Sequence, residues 1–356
     1  MKINGEMVTL AREYRALGQE ELANTVGCSQ PQIAKIEAGL KEEVSEDFGA
    51  ALSRALGFPI GFFQQEDALL GFGSSSYYYR KKATLPAPER KRIHSTVNLL
   101  RIGIKKFLPF IELQAKRKLP QWSLEDYGDS PINAARALRS FWHLPDGPIK
   151  NLTALIESAG AIVVPCDFGT ASIDATSLRL AEMPPLIFMN TSVPGDRWRF
   201  TIAHELAHLI IHSEPNDRME DEADAFAAEL LVPVDEIRPQ LTSLAKIQIR
   251  DLIPLKRYWK VSIQALVFRA FEAGVIDAVQ KRSLFVRMSQ LNIRQVEPEV
   301  IEVEAPSNLG RMLSTMTESL QFSAEEIAAV VNWNRPEVSA LLPVEPASGP
   351  RHLRVV

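Results

Sequence analysis

The chain has 356 residues, two to three domain-lengths at roughly 150 residues each, and its 46% hydrophobic and 24% charged content is that of an ordinary globular protein. Its two cysteines, Cys28 and Cys166, build neither a disulfide framework nor a thiolate metal site, and no 18-residue apolar run or apolar signal-peptide core occurs, so a soluble protein of the reducing cytoplasm, without a membrane partner, is expected. The net charge of −4 argues against a polyanion partner, but it averages unequal parts: residues 1–67 hold 6 basic and 11 acidic side chains, residues 68–118 hold 12 and 2, and the remainder 22 and 31.

Helical periodicity runs through residues 6–70, punctuated by Gly18, Gly27, Gly39 and Gly57. Within it, QEELANTVGCSQPQIAKIE (19–37) reads as two short helices. Leu22, Ala23 and Val26 face inward on the first, Gly27 turns the chain, and Ser29 caps a second helix whose Ile33 and Ile36 face the core. Pro31 falls in the first turn, where proline is tolerated. The pattern resembles the XRE/Cro-type helix-turn-helix. That resemblance implies DNA contact by Gln19, Ser29, Gln30, Gln32 and Lys35, with Gln30, Gln32 and Lys35 toward the major groove. Gly18 stands where that family usually has a capping Thr or Ser. Because this segment is acidic, two other readings stay open: a helical pair without DNA affinity, and a docking module for a related repressor.

Residues 71–88 are linker-like, rich in Gly, Ser and Pro. Residues 89–116 read as one long basic helix with Ile93, Val97, Leu100, Ile104, Phe107 and Leu108 at helical spacing, kinked or ended by Pro109. Its charges, with Arg80, Lys81, Lys82, Arg90, Lys91 and Arg92 foremost, read either as phosphate contacts or as a solvated helix face. A second linker-like stretch spans Pro120 to Pro131. Beyond it the pattern becomes mixed: a helix at 150–159, strands near 161–164, 171–180 and 185–190, then helices at 196–212, 217–231, 234–256 and 262–273. After Pro298 an acidic stretch leads to a helical tail over about 307–343.

Residues 204–208 read His-Glu-Leu-Ala-His within the apolar helix RWRFTIAHELAHLIIH (197–212). Histidines at i and i+4 share one face, so both imidazoles can reach one Zn²⁺, and Glu205 between them is placed to take a proton from an activated water. A catalytic zinc needs a third protein ligand. In DRMEDEADAFAAELLVP (217–233) the apolar face is Ala223, Phe226, Ala227, Leu230 and Leu231, with Glu220 on its edge and Asp224 just beyond, while Glu222 points well away. If that face packs on the histidine helix, Glu220 is the third ligand and Asp224 orients a histidine from behind. His212, at i+8 from His204, is rotated about 80° off the histidine face and reads as structural.

PGDRWRFTIAHELAHLIIH (194–212), EDEADAFAAELLVP (220–233) and LKRYWKVSIQALVFRA (255–270), with IDATS (173–177) and PPLIFMN (184–190) upstream, resemble the ImmA/IrrE-type metallopeptidases over about 150–290. The resemblance implies a zincin-like α/β core, and bacterial relatives that cleave helix-turn-helix repressors, releasing DNA-damage genes or mobile elements.

A search for repeats pairs AEEIAAVVNWNRPEVSAL (324–341) without gaps with QEELANTVGCSQPQIAKI (19–36): Glu325, Glu326, Ala328, Val331 and Pro336 are identical to their counterparts. The tail reads either as a degenerate second helix-turn-helix, an internal mimic of the substrate's fold, or as a coincidental helical pair.

The expected architecture is therefore multidomain. An all-α helix-turn-helix domain (1–70) is followed by a linker and basic helical connector (71–148), an α+β zincin-like metallopeptidase domain (149–290) and a small α-helical tail (291–356). The expected function is a DNA-binding regulator whose zinc-dependent endopeptidase domain cleaves a partner protein such as a transcriptional repressor in a stress or mobile-element response. His204, His208 and Glu220 hold Zn²⁺, Glu205 is catalytic and Asp224 supports a ligand. Expected partners are DNA, through residues 1–118, the protein substrate, and a second copy of the chain as a homodimer. The contrasting reading is a non-enzymatic XRE-family transcription factor, antitoxin-like, whose zincin-like domain senses a metal, ligand or partner.

Overall fold

A computed structural model describes residues 1–70, 86–214, 216–244, 246–293 and 297–342; Arg80, Lys81 and Lys82 lie outside the described residues. The described residues fall into two units, one of residues 1–70, 86–113 and 308–342, the other within 114–307. Among the described residues no helix is long and apolar enough to cross a membrane.

The first unit opens with helices Gly5–Tyr14, Gln19–Val26, Gln30–Glu37, Glu46–Leu56 and Ile60–Phe63. Asn4 and Ser45 start the first and fourth by accepting hydrogen bonds from the amides of Glu6 (3.0 Å) and Phe48 (3.3 Å), which supplies orphan helical N–H groups with acceptors. Gly27, at φ 73°, makes the left-handed turn between the second and third helices. Ser29 occupies the N-cap position of the third helix, but its hydroxyl makes no capping hydrogen bond. Gly18 carries no side chain to cap with, yet its own amide donates to Glu21 Oε2 at 2.6 Å, preserving half of a capping box. Leu22, Ala23, Ile33, Ile36, Leu52, Phe58 and Phe62 fill the core.

The basic helix spans Ala87–Phe107, and Pro109 falls in a closing 3₁₀ turn, Leu108–Phe110, rather than inside a helix reaching residue 116. Instead of standing apart as a connector, it joins the helix-turn-helix unit, and so does the tail. The physical reason is a shared core and paired charge. Val97, Leu100, Ile104 and Phe107 are fully buried. Lys91 pairs with Glu13 at 2.9 Å, Lys105 and Lys106 pair with Asp67 at 3.4 and 3.2 Å, and Arg101 donates to the Ala68 carbonyl at 2.7 Å. Positive charge that looked surplus in the sequence is in part matched to acids of the same unit.

The tail contains helices Asn308–Ser314, Ala324–Val331 and Arg335–Leu341. Its last two repeat the helix-turn-helix turn in detail: Asn332 takes the left-handed conformation (φ 54°) at the place of Gly27, and Asn334 and Pro336 match Ser29 and Pro31. Trp333, 2% exposed, packs its six-membered ring on Gly103 of the basic helix. Glu337, the counterpart of Gln32, is buried in an ion pair with Arg15, and Asn334 donates to the Gly57 carbonyl at 2.7 Å. The face that would read a groove in a true helix-turn-helix is thus turned onto the unit's own surface.

The second unit places Pro131–Phe141 and Leu152–Ser158 before a three-stranded sheet, β1 (Ile162–Cys166), β2 (Ala175–Leu178) and β3 (Leu186–Asn190), in the order β1-β3-β2. β1 runs parallel to β3 with Ile162 opposite Leu186, and β2 runs antiparallel to β3 with Leu178 opposite Leu186. Helices Gly195–Ile211, Met219–Leu231, Val234–Thr242, Ile249–Trp259, Ile263–Glu272 and Ala278–Gln290 follow. The expected helix 234–256 is two helices, separated by residues 243–248; each segment contains a proline, Pro239 or Pro254, that removes a backbone donor.

The acidic stretch around Pro298, residues 297–307, forms a strap fastened along this unit. Glu297 accepts from Lys256 Nζ (2.7 Å) and from the amide of Ile263 (2.7 Å), and Glu299 from Arg257 (2.6 Å). Glu304 pairs with the fully buried Arg199 and accepts from the Thr153 amide at 2.9 Å. Backbone oxygens of Ile301 and Glu302 come so close to Gly195 that a side chain there has no room.

Candidate metal centre and helix-turn-helix face

The helix Gly195–Ile211 is buried along almost its whole length, because Trp198, Ile202, Ala203, Leu206, Ala207 and Ile210 all enter the core. That burial fixes the rotation of the helix, so His204, Glu205 and His208 are held by packing from both sides. Met219–Leu231 lies against it and buries Ala223, Phe226, Ala227 and Leu230, the face expected from the sequence. Packing that face inward carries Glu220 to the histidines.

His204 Nε2 and His208 Nε2 are 3.0 Å apart, and the Glu220 oxygens lie 3.5 Å from the first and 3.4 Å from the second. Donors bound to one tetrahedral zinc at about 2.0–2.1 Å are separated from one another by about 3.3 Å. The three ligand atoms therefore already stand at the spacing a single ion requires, and they form the metal-ligand cluster found among the described residues. Glu220 Oε1 is buried facing His208 Nε2 at 3.4 Å, the spacing of two atoms that share one cation. Two imidazoles and a carboxylate suit Zn²⁺, and they leave a fourth position open. Glu205 is fully buried one residue after the first histidine.

The charge balance without metal points the same way. Burial opposes a charge on His204, but hydrogen bonds to Asp224 and Glu220 and the nearby Glu205 outweigh it and push its pKa up to about 9. Burial likewise opposes ionisation of Glu220, yet the two imidazoles hold its carboxyl well below the usual carboxylate range. The carboxylates around the two imidazoles thus favour positive charge at this point.

Behind the ligands, Asp224 Oδ1 lies 2.8 Å from His204 Nδ1, as the helix geometry predicted. The other side differs from expectation. The helix ends at Ile211, and His212 leaves it in an extended conformation (φ −118°, ψ 102°), which returns its ring to His208 with the two Nδ1 atoms 2.9 Å apart. Glu222, expected to point away, is buried with Oε2 3.2 Å from His212 Nε2. Burial and the adjacent His208 pull the His212 pKa down to about 4, keeping that ring neutral. A signal existed in the sequence: His204, His208 and His212 recur every four residues.

In the first unit, Gln30 and Lys35 are exposed, Gln32 is half-buried on the same short helix, and Ser29 is exposed at its start. Gln19 is held rather than free: it accepts from Gln30 Nε2 (2.7 Å) and donates to Glu37 Oε2 (2.7 Å). Glu37 is in turn gripped by Arg12 at 2.6 and 2.9 Å. Of the five sequence-predicted residues, the structure thus brings Gln19 and Gln30 into contact, while Ser29, Gln32 and Lys35 are spread from the start to the last turn of the third helix.

A histidine pair one turn apart, a glutamate from the next helix and a buried glutamate between the histidines, all beside a small mixed sheet, make up a cluster that could hold one metal ion. Residues 156–271 match the peptidase family model described as IrrE N-terminal-like domain, and residues 11–63 match the model described as Helix-turn-helix. No curated protein matches the chain. The chain thus carries one stretch similar to a helix-turn-helix and, further on, one similar to a peptidase-family domain.

Proposed function

We propose that the protein is a DNA-binding regulator whose second unit is a zinc-dependent endopeptidase acting on a partner protein such as a helix-turn-helix repressor, in a stress or mobile-element response. The observation that carries this reading is the His204–His208–Glu220 cluster with ligand-atom separations of 3.0 to 3.5 Å and Glu205 buried beside it. Zn²⁺ held there supplies Lewis acidity, lowering the pKa of water and polarising a peptide carbonyl. His204, His208 and Glu220 hold the ion, and Asp224 keeps the His204 ring turned toward it. The Glu205 carboxylate takes the proton of the attacking water and returns it to the leaving amine, the role open to a carboxylate adjacent to both. In the first unit, Gln30, Gln32 and Lys35 meet the major groove, Gln19 and Ser29 join them in DNA contact, and the Gln19–Gln30 bond orients the reading side chain.

The reading is tested by expressing wild-type chain or Glu205→Gln in cells alongside the repressor encoded nearest to it, and following repressor by immunoblot. Loss of intact repressor only with the wild type supports the peptidase. Intact repressor with both, together with regulation that survives the substitution, leaves a metal-sensing transcription factor instead.

A further inference from the structure

The two metal-ligand histidines are supported in different ways. His204 rests directly on a carboxylate, Asp224, whose side chain is 44% exposed. His208, at its Nδ1, rests on a second imidazole, His212, which in turn meets a carboxylate, Glu222; the side chains of these two are 1% and 9% exposed. Glu222 is anchored in turn by Arg218 at 2.8 Å and by Asn216 Nδ2 at 3.4 Å.

The hydrogen positions along this chain follow from one condition. For His208 to present a lone pair at Nε2, a neutral ring must carry its proton on Nδ1. That proton points at His212 Nδ1, 2.9 Å away, which must then accept. His212, also neutral, carries its proton on Nε2 and donates it to Glu222 Oε2 at 3.2 Å. Every nitrogen in the chain has its role fixed, and the negative charge that favours a cation on His208 resides on Glu222, one imidazole further out.

We propose that His212 and Glu222 are positioning residues of the metal centre, forming a His208–His212–Glu222 relay that holds His208 in its metal-binding tautomer and orientation. This rests on the zinc-peptidase reading above and extends it to residues that touch neither metal nor substrate. His212 stands one turn beyond His208, just past the end of the helix, and its extended backbone brings its Nδ1 to within 2.9 Å of that of His208. Supports of this kind strengthen ligand basicity and pre-order the ring, and their loss costs about 10- to 100-fold in metal affinity.

The test is zinc affinity by competition with a chromophoric chelator, on full-length wild type, His212→Phe and Glu222→Gln, with the thermal midpoint of each metal-free protein measured beside it. His212→Phe keeps a ring but removes the acceptor, and Glu222→Gln keeps the shape but removes the charge. The relay predicts one tight zinc per wild-type chain, binding about 10- to 100-fold weaker in His212→Phe and weakened to a smaller degree in Glu222→Gln. The Co²⁺-loaded variants should retain tetrahedral visible bands at shifted positions. Wild-type affinity in both variants overturns the relay while leaving the metal centre intact. Should His212→Phe fail to fold, unchanged affinity in Glu222→Gln overturns it alone. Wild-type chain that takes up no zinc overturns the metal reading itself, and the relay with it.

Discussion

The packing of Trp333 on Gly103 makes a prediction whose sign depends on the tail. Gly103 lies inside the helix Ala87–Phe107, where alanine in place of glycine ordinarily stabilises by about 0.8–1 kcal/mol. A Cβ at that position, however, would meet the Trp333 ring at 2.8 and 3.0 Å, closer than packing allows. Overpacking of this kind costs about 1–3 kcal/mol, so Gly103→Ala alone should destabilise. Trp333→Ala removes a side chain that is 2% exposed and should cost about 3–5 kcal/mol. In the Trp333→Ala background the obstruction is gone, and Gly103→Ala should become neutral or stabilising. The double-mutant cycle should therefore show a coupling of about 2–3 kcal/mol. Native-state hydrogen exchange of the amides of Leu10, Leu22 and Ile33 is the suitable assay, because it reports the helix-turn-helix unit separately from the second unit. Protection of these amides should fall by two orders of magnitude or more in Trp333→Ala, at about 1.4 kcal/mol per tenfold. Additive effects, or a Trp333→Ala effect confined to residues 308–342, would refute the claim that the tail is part of the first unit.

Three further outcomes are expected. Glu304→Ala strands the fully buried Arg199, a loss of about 3–5 kcal/mol measurable by urea unfolding followed on the second unit; a change below about 1 kcal/mol would mean that the strap is not fastened there. A thiol reagent should modify Cys28, which is half-buried, and leave Cys166 untouched in the native protein, since deep burial pushes the Cys166 thiol up far beyond its ordinary value; mass spectrometry of the labelled chain decides this. In chelator-treated protein, His204 is raised from 6.5 to about 9, so its contribution to stability is complete below pH 6.5 and is lost as pH rises through about 9. The thermal midpoint of metal-free protein should thus fall across that window, and zinc-loaded protein should not show the fall, because the ion replaces the proton.

Much of the candidate site was legible in the sequence because it depends on helical spacing alone. The pair His204 and His208, the edge position of Glu220 and the place of Asp224 all follow from 3.6 residues per turn along two apolar-faced helices. The same rule weighed His212 only against His204, from which it is rotated by about 80°, and so passed over its contact with His208, made where the chain leaves helical geometry. Glu222 was read as pointing away from the apolar face, but angle alone does not reveal that His212 and Arg218 come to meet it. The strap escaped notice for a different reason. Glu297, Glu299 and Glu304 find Lys256, Arg257 and Arg199 across 41 or more residues, and no local pattern encodes such pairing. The internal repeat showed the shape of the tail in advance, down to the proline, but not that its recognition-like face would be spent on Arg15, 322 residues away. Charge was the least transferable quantity, since Lys91, Lys105 and Lys106 meet acids of their own unit. Those pairs are partly exposed and screened, so they temper an attraction to phosphate without abolishing it.

The central claim, a zinc centre with Glu205 as its proton-transfer group, is tested most directly by measuring zinc content and cleavage together on purified wild-type and Glu205→Gln protein, mixed with the neighbouring repressor and read by intact-mass spectrometry. The account predicts about one zinc per chain in both proteins, since Glu205 is not a ligand, and repressor fragments with the wild type alone. Fragments appearing at the same rate with Glu205→Gln, or a wild-type chain that carries no zinc, would contradict it.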